Sequence, residues 1–181
     1  MNDELERARS GWKHRGGERP PFAQVPKRRE ESVWDYPRPP ALVEDRREVV
    51  VRVGKREIAR TARAVRVLET ASPPTFYIAP DDVDTECLFP APGGSFCEWK
   101  GSASYFDVQT PEQTVSAAAW AYLEPFPEFT SIAGWLAFYP SKVSCFVAGE
   151  LVRAQAGGFY GGWVTREIVG PFKGEPETSG W

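Results

Sequence analysis

The stretch SFCEWKGSASYF, residues 95–106, holds a thiol, a carboxylate, an amine and four aromatic rings around a single glycine. Aromatic and small polar residues favour strands, and glycine permits the backbone conformations of a tight turn. A hairpin or bulge is therefore predicted at Lys100–Gly101. In a regular strand, alternation would place Glu98 and Lys100 on one face, opposite Cys97.

Two interpretations of Cys97 are compatible with this stretch. A turn at Lys100–Gly101 would bring the lysine amine near the sulfur, and a thiol beside an ammonium ion is a better nucleophile. Alternatively, Cys97 is a small buried hydrophobe. Lys100 would then lay its stem on an aromatic ring and keep its amine in water.

The composition predicts one folded domain with tails. The chain has 181 residues, of which 41% are hydrophobic, and this is enough for one core. Seventeen prolines and sixteen glycines argue against long helices. Strand-like stretches recur about every ten residues, as in the hairpin predicted over residues 48–61 around Gly54. The sequence therefore predicts an all-β domain, either a sandwich or barrel-like.

The distribution of polar and aromatic residues divides the chain. The arm is polar and broken by Gly16 and Gly17, which is typical of disorder. Trp34 and Tyr36 are large aromatics between prolines, and we expect them to dock on the domain. The predicted segments are a disordered arm over 1–31, an extended docking segment over 32–45, a single domain over 46–174 and a C-terminal tail over 175–181.

Charge and cysteine usage exclude several classes of partner. The net charge of −3 argues against nucleic acid. No apolar run reaches the length of a membrane span, so we expect no membrane partner. Cys87, Cys97 and Cys145 are odd in number and widely spaced, and no secretory signal precedes them. This pattern indicates reduced thiols in a cytoplasmic protein.

The domain also lacks the residues of several common sites. The only histidine is His14, in the arm, which excludes Ser–His–Asp and Cys–His mechanisms within the domain. No Cys-x-x-Cys pair is present, so no metal site is expected. The phosphate-binding and dinucleotide-binding glycine motifs are absent as well, so no cofactor is expected.

Seven longer pieces of the chain form a recognisable set when they are taken in order. They are VWDYPRPP (33–40), RVLET (66–70), PPTFYIAPDDV (73–83), CEWKGSASYF (97–106), AWAYLEPFPEF (119–129), IAGWLAFYP (132–140) and GFYGGW (158–163). Together they resemble the microbial family known as domain of unknown function 427. The resemblance implies a β-tent fold, two antiparallel sheets meeting at an angle, as in Mss4-like and yippee-like proteins. Unlike many tent proteins, this chain has no zinc knuckles, and the resemblance implies no activity.

The family also carries a nucleotidyltransferase-like label, and the sequence can be searched for the residues that this activity requires. That chemistry needs a Gly-Ser turn followed by two carboxylates that hold metal ions on a triphosphate. Gly94 and Ser95 are present, and Asp107 follows. The second acid is missing from the Asp107-Val108-Gln109 run, so nucleotidyl transfer is only a minor alternative.

The domain contains more tyrosines and tryptophans than a hydrophobic core requires, and this indicates a candidate ligand-binding site. Clefts lined by aromatic rings and a few charged groups are typical of small-molecule sites. The candidates are Glu69, Cys97, Glu98, Lys100, Tyr105, Trp120, Tyr122, Tyr160 and Trp163, with Tyr77 and Tyr139 in the wider set. Lys100, Glu98 and Tyr105 are candidates for acid–base work or charge recognition. The glycine-rich run 157–162 is predicted to lie at the mouth of the cleft.

Two other interpretations of these aromatic and charged residues are compatible with the sequence. The aromatics could form a core in which each polar end is satisfied internally. They could also serve a module without chemistry that binds a peptide, a protein partner or a second copy of the chain. Such a module would use a shallow aromatic face or the 33–40 segment.

Overall fold

The computed structural model describes residues 2–178 and 180–181 and confirms the all-β class. In this part of the chain the one α-helix is α1 (Asn2–Ser10). No described helix is both long and apolar enough to cross a membrane. The strands are β1 (Glu31–Ser32), β2 (Ala41–Asp45), β3 (Val49–Val53), β4 (Arg56–Thr61), β5 (Ala64–Glu69), β6 (Ser72–Tyr77), β7 (Leu88–Cys97), β8 (Gly101–Gln109), β9 (Thr114–Ala121), β10 (Ala137–Phe138), β11 (Ser144–Val147), β12 (Glu150–Leu151), β13 (Arg153–Ala154), β14 (Trp163–Val164) and β15 (Ile168–Val169). Short 3₁₀ helices lie at Val33–Asp35, Pro80–Asp82, Thr85–Cys87 and Pro127–Ile132.

The hairpin of β3 and β4 shows how local sequence makes these strands. The four valines of β3 are all buried, which suits a pleated surface packed on a core. Gly54 turns the chain with a φ of +59°, a conformation that glycine adopts without strain. Val53 then pairs with Arg56, and the hairpin predicted over 48–61 is confirmed.

Strand pairing divides the fold into more sheets than the two that the family resemblance implies. Two sheets have four strands, in the orders β10-β9-β8-β7 and β12-β11-β3-β4, and a third has the order β2-β5-β6. Two further pairs are β13–β14 and the parallel pair β1–β15. Prolines 73 and 74 in β6 cannot donate to a ladder, and the β5–β6 register shifts near them. The tent arrangement of the sheets stays a prediction.

Two aromatic-rich clusters form most of the interior. The larger one packs valines of β3 and β11 against Phe76 and Trp163, whose rings stack with centroids 4.8 Å apart. Burying one large apolar side chain contributes about 1.5–3 kcal/mol, so this cluster is the main source of stability. The second cluster is built around Tyr77, Trp99, Trp120, Tyr122, Phe129, Ile132 and Tyr139.

The segment after the arm docks on the domain through its aromatic residues. Val33, Trp34 and Tyr36 are buried and pack against Leu68 and Ile168. The indole N–H of Trp34 donates to the Pro171 carbonyl oxygen at 3.1 Å. The ring of this tryptophan is therefore buried in an apolar cluster, and its indole N–H has a hydrogen-bond acceptor.

The sequence predicts a disordered arm over 1–31, whereas its described residues include α1 and contact the domain. The guanidinium of Arg9 donates to the Glu98 carbonyl oxygen at 2.7 Å and lies over the rings of Trp99 and Phe126. Trp12 donates its indole N–H to the Glu98 carboxylate, also at 2.7 Å. The arm is polar on average, but its cationic and aromatic side chains can still contact aromatic rings and carboxylates of the domain. Mean hydropathy does not reveal such contacts. The boundaries between arm, docking segment, domain and tail stay predictions.

Candidate functional site

The central stretch forms the hairpin of β7 and β8, with residues 98–100 in the turn. Cys97 pairs with Gly101, whose φ of +93° suits glycine. The predicted turn at Lys100–Gly101 is confirmed. The expected alternation of faces is wrong, because regular strand geometry ends at the turn. Cys97, Glu98 and Lys100 consequently line the same cavity.

This cavity has a volume of about 170 Å³ and lies between the turn, strands β5, β6 and β9, and the segment 155–161. It brings together most of the residues that the sequence proposes for a site, namely Glu69, Cys97, Glu98, Lys100, Trp120, Tyr122 and Tyr160. The glycine-rich run contributes Phe159, Tyr160 and Gly161 to its lining. Residues far apart in sequence therefore meet around one space that is open to solvent on one side.

Tyr105 and Trp163 do not line the cavity, contrary to the expectation of one shared cleft. Trp163 is fully buried in the larger core cluster, and its indole N–H donates to the Phe138 carbonyl oxygen at 3.0 Å. Its polar end is thus satisfied by backbone, as the core interpretation requires. Tyr105 pairs with Trp120 across β8 and β9 and packs against the second cluster.

Gln155 and Lys173 are parts of the site region that sequence reasoning missed. The Gln155 amide donates to the Lys173 carbonyl oxygen at 2.6 Å, and its oxygen accepts from the Gly162 N–H at 3.1 Å. These bonds hold the glycine-rich run against the cavity. Because a lone glutamine and a lone lysine carry no motif, no signal in the sequence points to them.

Lys100 is the charged group of the cavity wall that is most deeply buried, with 8% of its surface exposed. Its Nζ lies 5.7 Å from the ring centroids of both Tyr122 and Phe129, within range of cation–π attraction. Between residues 2 and 178, and at 180–181, no carboxylate forms an ion pair with it. Burial alone would lower the pKa of Lys100, but neighbouring acidic groups, Cys97 first, raise it above its ordinary value. The cavity wall therefore carries a positive charge at neutral pH.

Phenol groups surround that charge. Burial raises the pKa of Tyr77 to about 12, and its oxygen accepts a hydrogen bond from the Trp120 indole at 3.2 Å. The pKa of Tyr122 is raised by burial, and further by Tyr77 and Cys97. Both phenols are protonated at neutral pH, so they can act as hydrogen-bond donors to a ligand.

The two carboxylates of the cavity wall are held by residues outside it. The guanidinium of Arg38 pairs with Glu69 at 3.2 Å, and Trp12 donates to Glu98. The Trp12 ring lies between Arg38 and Lys173, at 4.3 Å and 3.5 Å from its centroid. Burial lowers the pKa of Lys173 to about 8, against the opposing effect of Glu69. Trp12 thus connects the arm to the acidic side of the cavity.

A sequence-family model described as a domain of unknown function, DUF427, matches residues 41–149, more than half of the chain. The chain belongs to the DUF427 family. The matched region includes the hairpin of Cys97 and Lys100, whereas Gln155, Tyr160 and Lys173 lie beyond it. No curated protein matches the chain.

Nucleotidyl transfer would require carboxylates placed together to hold metal ions, and the described residues of this DUF427 member do not bring such carboxylates together. Ser95 lines the cavity. Asp107 does not line it, and its carboxylate accepts a hydrogen bond from the Ala117 N–H at 2.7 Å. Across residues 2–178 and 180–181, no group of three or more His, Cys, Asp or Glu residues is placed to hold a metal ion.

Gly161 is expected to tolerate no side chain in this DUF427 domain. A Cβ built there would lie 2.1 Å from Cη2 of Trp120, so Gly161→Ala must displace a wall of the cavity. Overpacking of this kind costs about 1–3 kcal/mol, which chemical denaturation measures. Gly180→Ala is the control because a Cβ there meets nothing within 4 Å. Equal stability of the two variants would contradict the close packing of Gly161 on Trp120.

Proposed function

We propose that the cavity binds a small organic molecule and that Lys100 anchors a negatively charged or strongly polar oxygen of it. The observation that carries this proposal is the buried ammonium group of Lys100, which lines the cavity without a carboxylate partner. A buried charge is costly unless it is paired. Cys97, Tyr77 and Glu69 already stabilise the charge of Lys100, and a ligand oxygen would add a direct charged partner within the cavity.

The size and lining of the cavity support a compact ligand. Its volume is about 170 Å³, whereas an engineered cavity of about 150 Å³ accepts benzene. The rings of Trp120 and Tyr139, 4.4 Å apart between centroids, form an apolar wall. Tyr77 and Tyr122 supply donors, and Glu98 supplies an acceptor at the rim. Acid–base chemistry on the ligand is part of the proposal, with Glu98 as the group that accepts a proton, while Lys100 stays charged and stabilises negative charge on the ligand oxygen.

A location in the cytoplasm belongs to the same proposal. Cys87, Cys97 and Cys145 are all free thiols. Free thiols persist where the medium is reducing.

Lys100→Met is expected to abolish stabilisation by the ligand while keeping the fold. The test is a thermal-shift screen of small aromatic carboxylates and of their neutral amides. A ligand at about one hundred times its Kd stabilises the native state by about 2.7 kcal/mol. We expect this gain for carboxylates with the wild type and its loss in Lys100→Met. Methionine keeps the length of the side chain and removes a buried charge, so the ligand-free melting temperature should change little.

Lys55→Met is the matched control, because Lys55 is exposed in the turn between β3 and β4. It should retain every ligand-dependent shift. Stabilisation of Lys100→Met equal to that of the wild type would overturn the anchoring role of Lys100.

Exposed aromatics beside the cavity favour a second candidate, a module that binds a protein or a second copy of the chain. Phe96 and Phe159 both line the mouth, and 62% and 60% of their surfaces are exposed. Large exposed apolar side chains are typical of contact surfaces. The same screen separates the candidates, since a module of this kind predicts no small-molecule stabilisation that depends on Lys100. It predicts instead that Phe96→Ser alters self-association in sedimentation experiments.

A further inference from the structure

The three cysteines have different surroundings. Cys145 is 1% exposed within the larger core cluster, and burial raises the pKa of its thiol. Cys87 is also buried, and its thiol donates to the Asp84 carboxylate at 3.1 Å. A neighbouring carboxylate disfavours a second negative charge on the sulfur. Neither cysteine is therefore suited to act as a thiolate.

Cys97 differs from both because it is half-buried and lines the cavity. The turn at 98–100 brings Lys100 back beside it, and the lysine lines the same cavity while more than nine-tenths buried. Cys97 is also a neighbour of the Tyr122 hydroxyl. An ammonium group and a phenol next to a sulfur both attract negative charge that develops near it during a reaction.

We propose that Cys97 is a nucleophile that adds to small α,β-unsaturated carbonyl compounds bound in the cavity. This proposal rests on the proposed function in one respect, because Lys100 would hold the carbonyl oxygen of the ligand. Its distinct content is covalent bond formation at Cys97. The half-buried position of Cys97 in the cavity wall and the buried ammonium of Lys100 in the same wall carry the inference.

The addition is balanced without an oxidant, a reductant or a leaving group. The thiol first loses its proton to water, and the ammonium of Lys100 stabilises the resulting thiolate. A sulfur electron pair then forms a C–S bond to the β-carbon of the ligand. The C=C π pair shifts toward the carbonyl and leaves an enolate oxygen, which Lys100 stabilises as charge develops. The α-carbon finally takes a proton from water, so the net reaction adds S–H across the C=C bond.

The test uses N-ethylmaleimide, an α,β-unsaturated carbonyl compound, on the full-length protein. Labelling is followed with substoichiometric reagent by peptide mass spectrometry, which reports all three cysteines at once. We expect Cys97 to be labelled at least about tenfold faster than Cys87 and Cys145, because it lines the cavity with Lys100 whereas they are buried. Cys97→Ser should remove the fast label and leave the slow ones. A Cys97 rate no greater than that of Cys87 would overturn the proposal.

The role of Lys100 is tested with the same reagent. Lys100→Met should slow labelling of Cys97 by about tenfold, because the ammonium group that stabilises charge on the sulfur and on the enolate oxygen is lost. Lys55→Met is the control and should react like the wild type. If Lys100→Met is poorly folded, Lys100→Gln replaces it, and labelling of Cys145 reports unfolding. Unchanged labelling of Cys97 in both folded variants would contradict the proposal.

The outcomes of this test and of the carboxylate screen are distinguishable. Slow labelling of Cys97, together with carboxylate stabilisation that depends on Lys100, would overturn the nucleophile and leave ligand binding intact. Fast labelling that depends on Lys100, without stabilisation by any carboxylate, would support the nucleophile and contradict the anchoring of an anionic ligand.

Discussion

Replacing Trp34 with alanine is expected to lower the free energy of unfolding by about 3–5 kcal/mol, the range for large buried aromatics. Trp34 is 1% exposed, and its indole donates to the Pro171 carbonyl oxygen. Its ring also contacts those of Phe22 and Trp181, with centroids 5.1 Å away in each case. The substitution would leave a cavity and an unsatisfied carbonyl where the docking segment meets the domain. Urea denaturation monitored by circular dichroism measures the loss.

Phe96→Ala is the matched control for Trp34, since it also removes an aromatic ring but from a side chain that is 62% exposed. Surface changes of this kind stay within about 0.5 kcal/mol. If Trp34→Ala were as stable as Phe96→Ala, the segment over 32–45 would not be docked in solution.

Arg38→Met is expected to cost about 3–5 kcal/mol, the usual loss when one member of a buried ion pair is removed. The Arg38 side chain is fully buried and donates to Glu69, at 3.2 Å, and to the carbonyl oxygens of His14 and Thr70, each at 2.8 Å. Methionine fills a similar volume but leaves those acceptors without a donor. Equilibrium unfolding in urea should show a lower midpoint with an unchanged slope.

Arg166→Met provides the comparison for Arg38. Arg166 pairs with Glu150 at 3.0 Å, but its side chain is 85% exposed. Surface ion pairs of this kind are worth about 0–1 kcal/mol. A similar loss in both variants would show that the Arg38 network contributes no more than an ordinary surface pair.

Much of the candidate site could be predicted because its central part is local. Cys97, Glu98 and Lys100 lie within one turn, so the sequence alone places them together once Gly101 is identified as the turning residue. Trp120 and Tyr122 were predicted from residue type, since polar-tipped aromatics are common in ligand cavities. The same criterion failed for Trp163, whose indole bonds to a core carbonyl. Residue type cannot distinguish a polar end satisfied by backbone from one that faces a cavity.

The sequence by itself determined the all-β class, the hairpins at Gly54 and Gly101 and membership in the DUF427 family, because turns and strand patterns depend on neighbouring residues. Only the tertiary structure decided that Trp12 lies between Arg38 and Lys173. It also decided that Gln155 holds the glycine-rich run. These contacts join residues far apart in the chain, and they depend on how the sheets pack. Residue periodicity and motif spacing report local structure only, so they do not predict how the sheets pack.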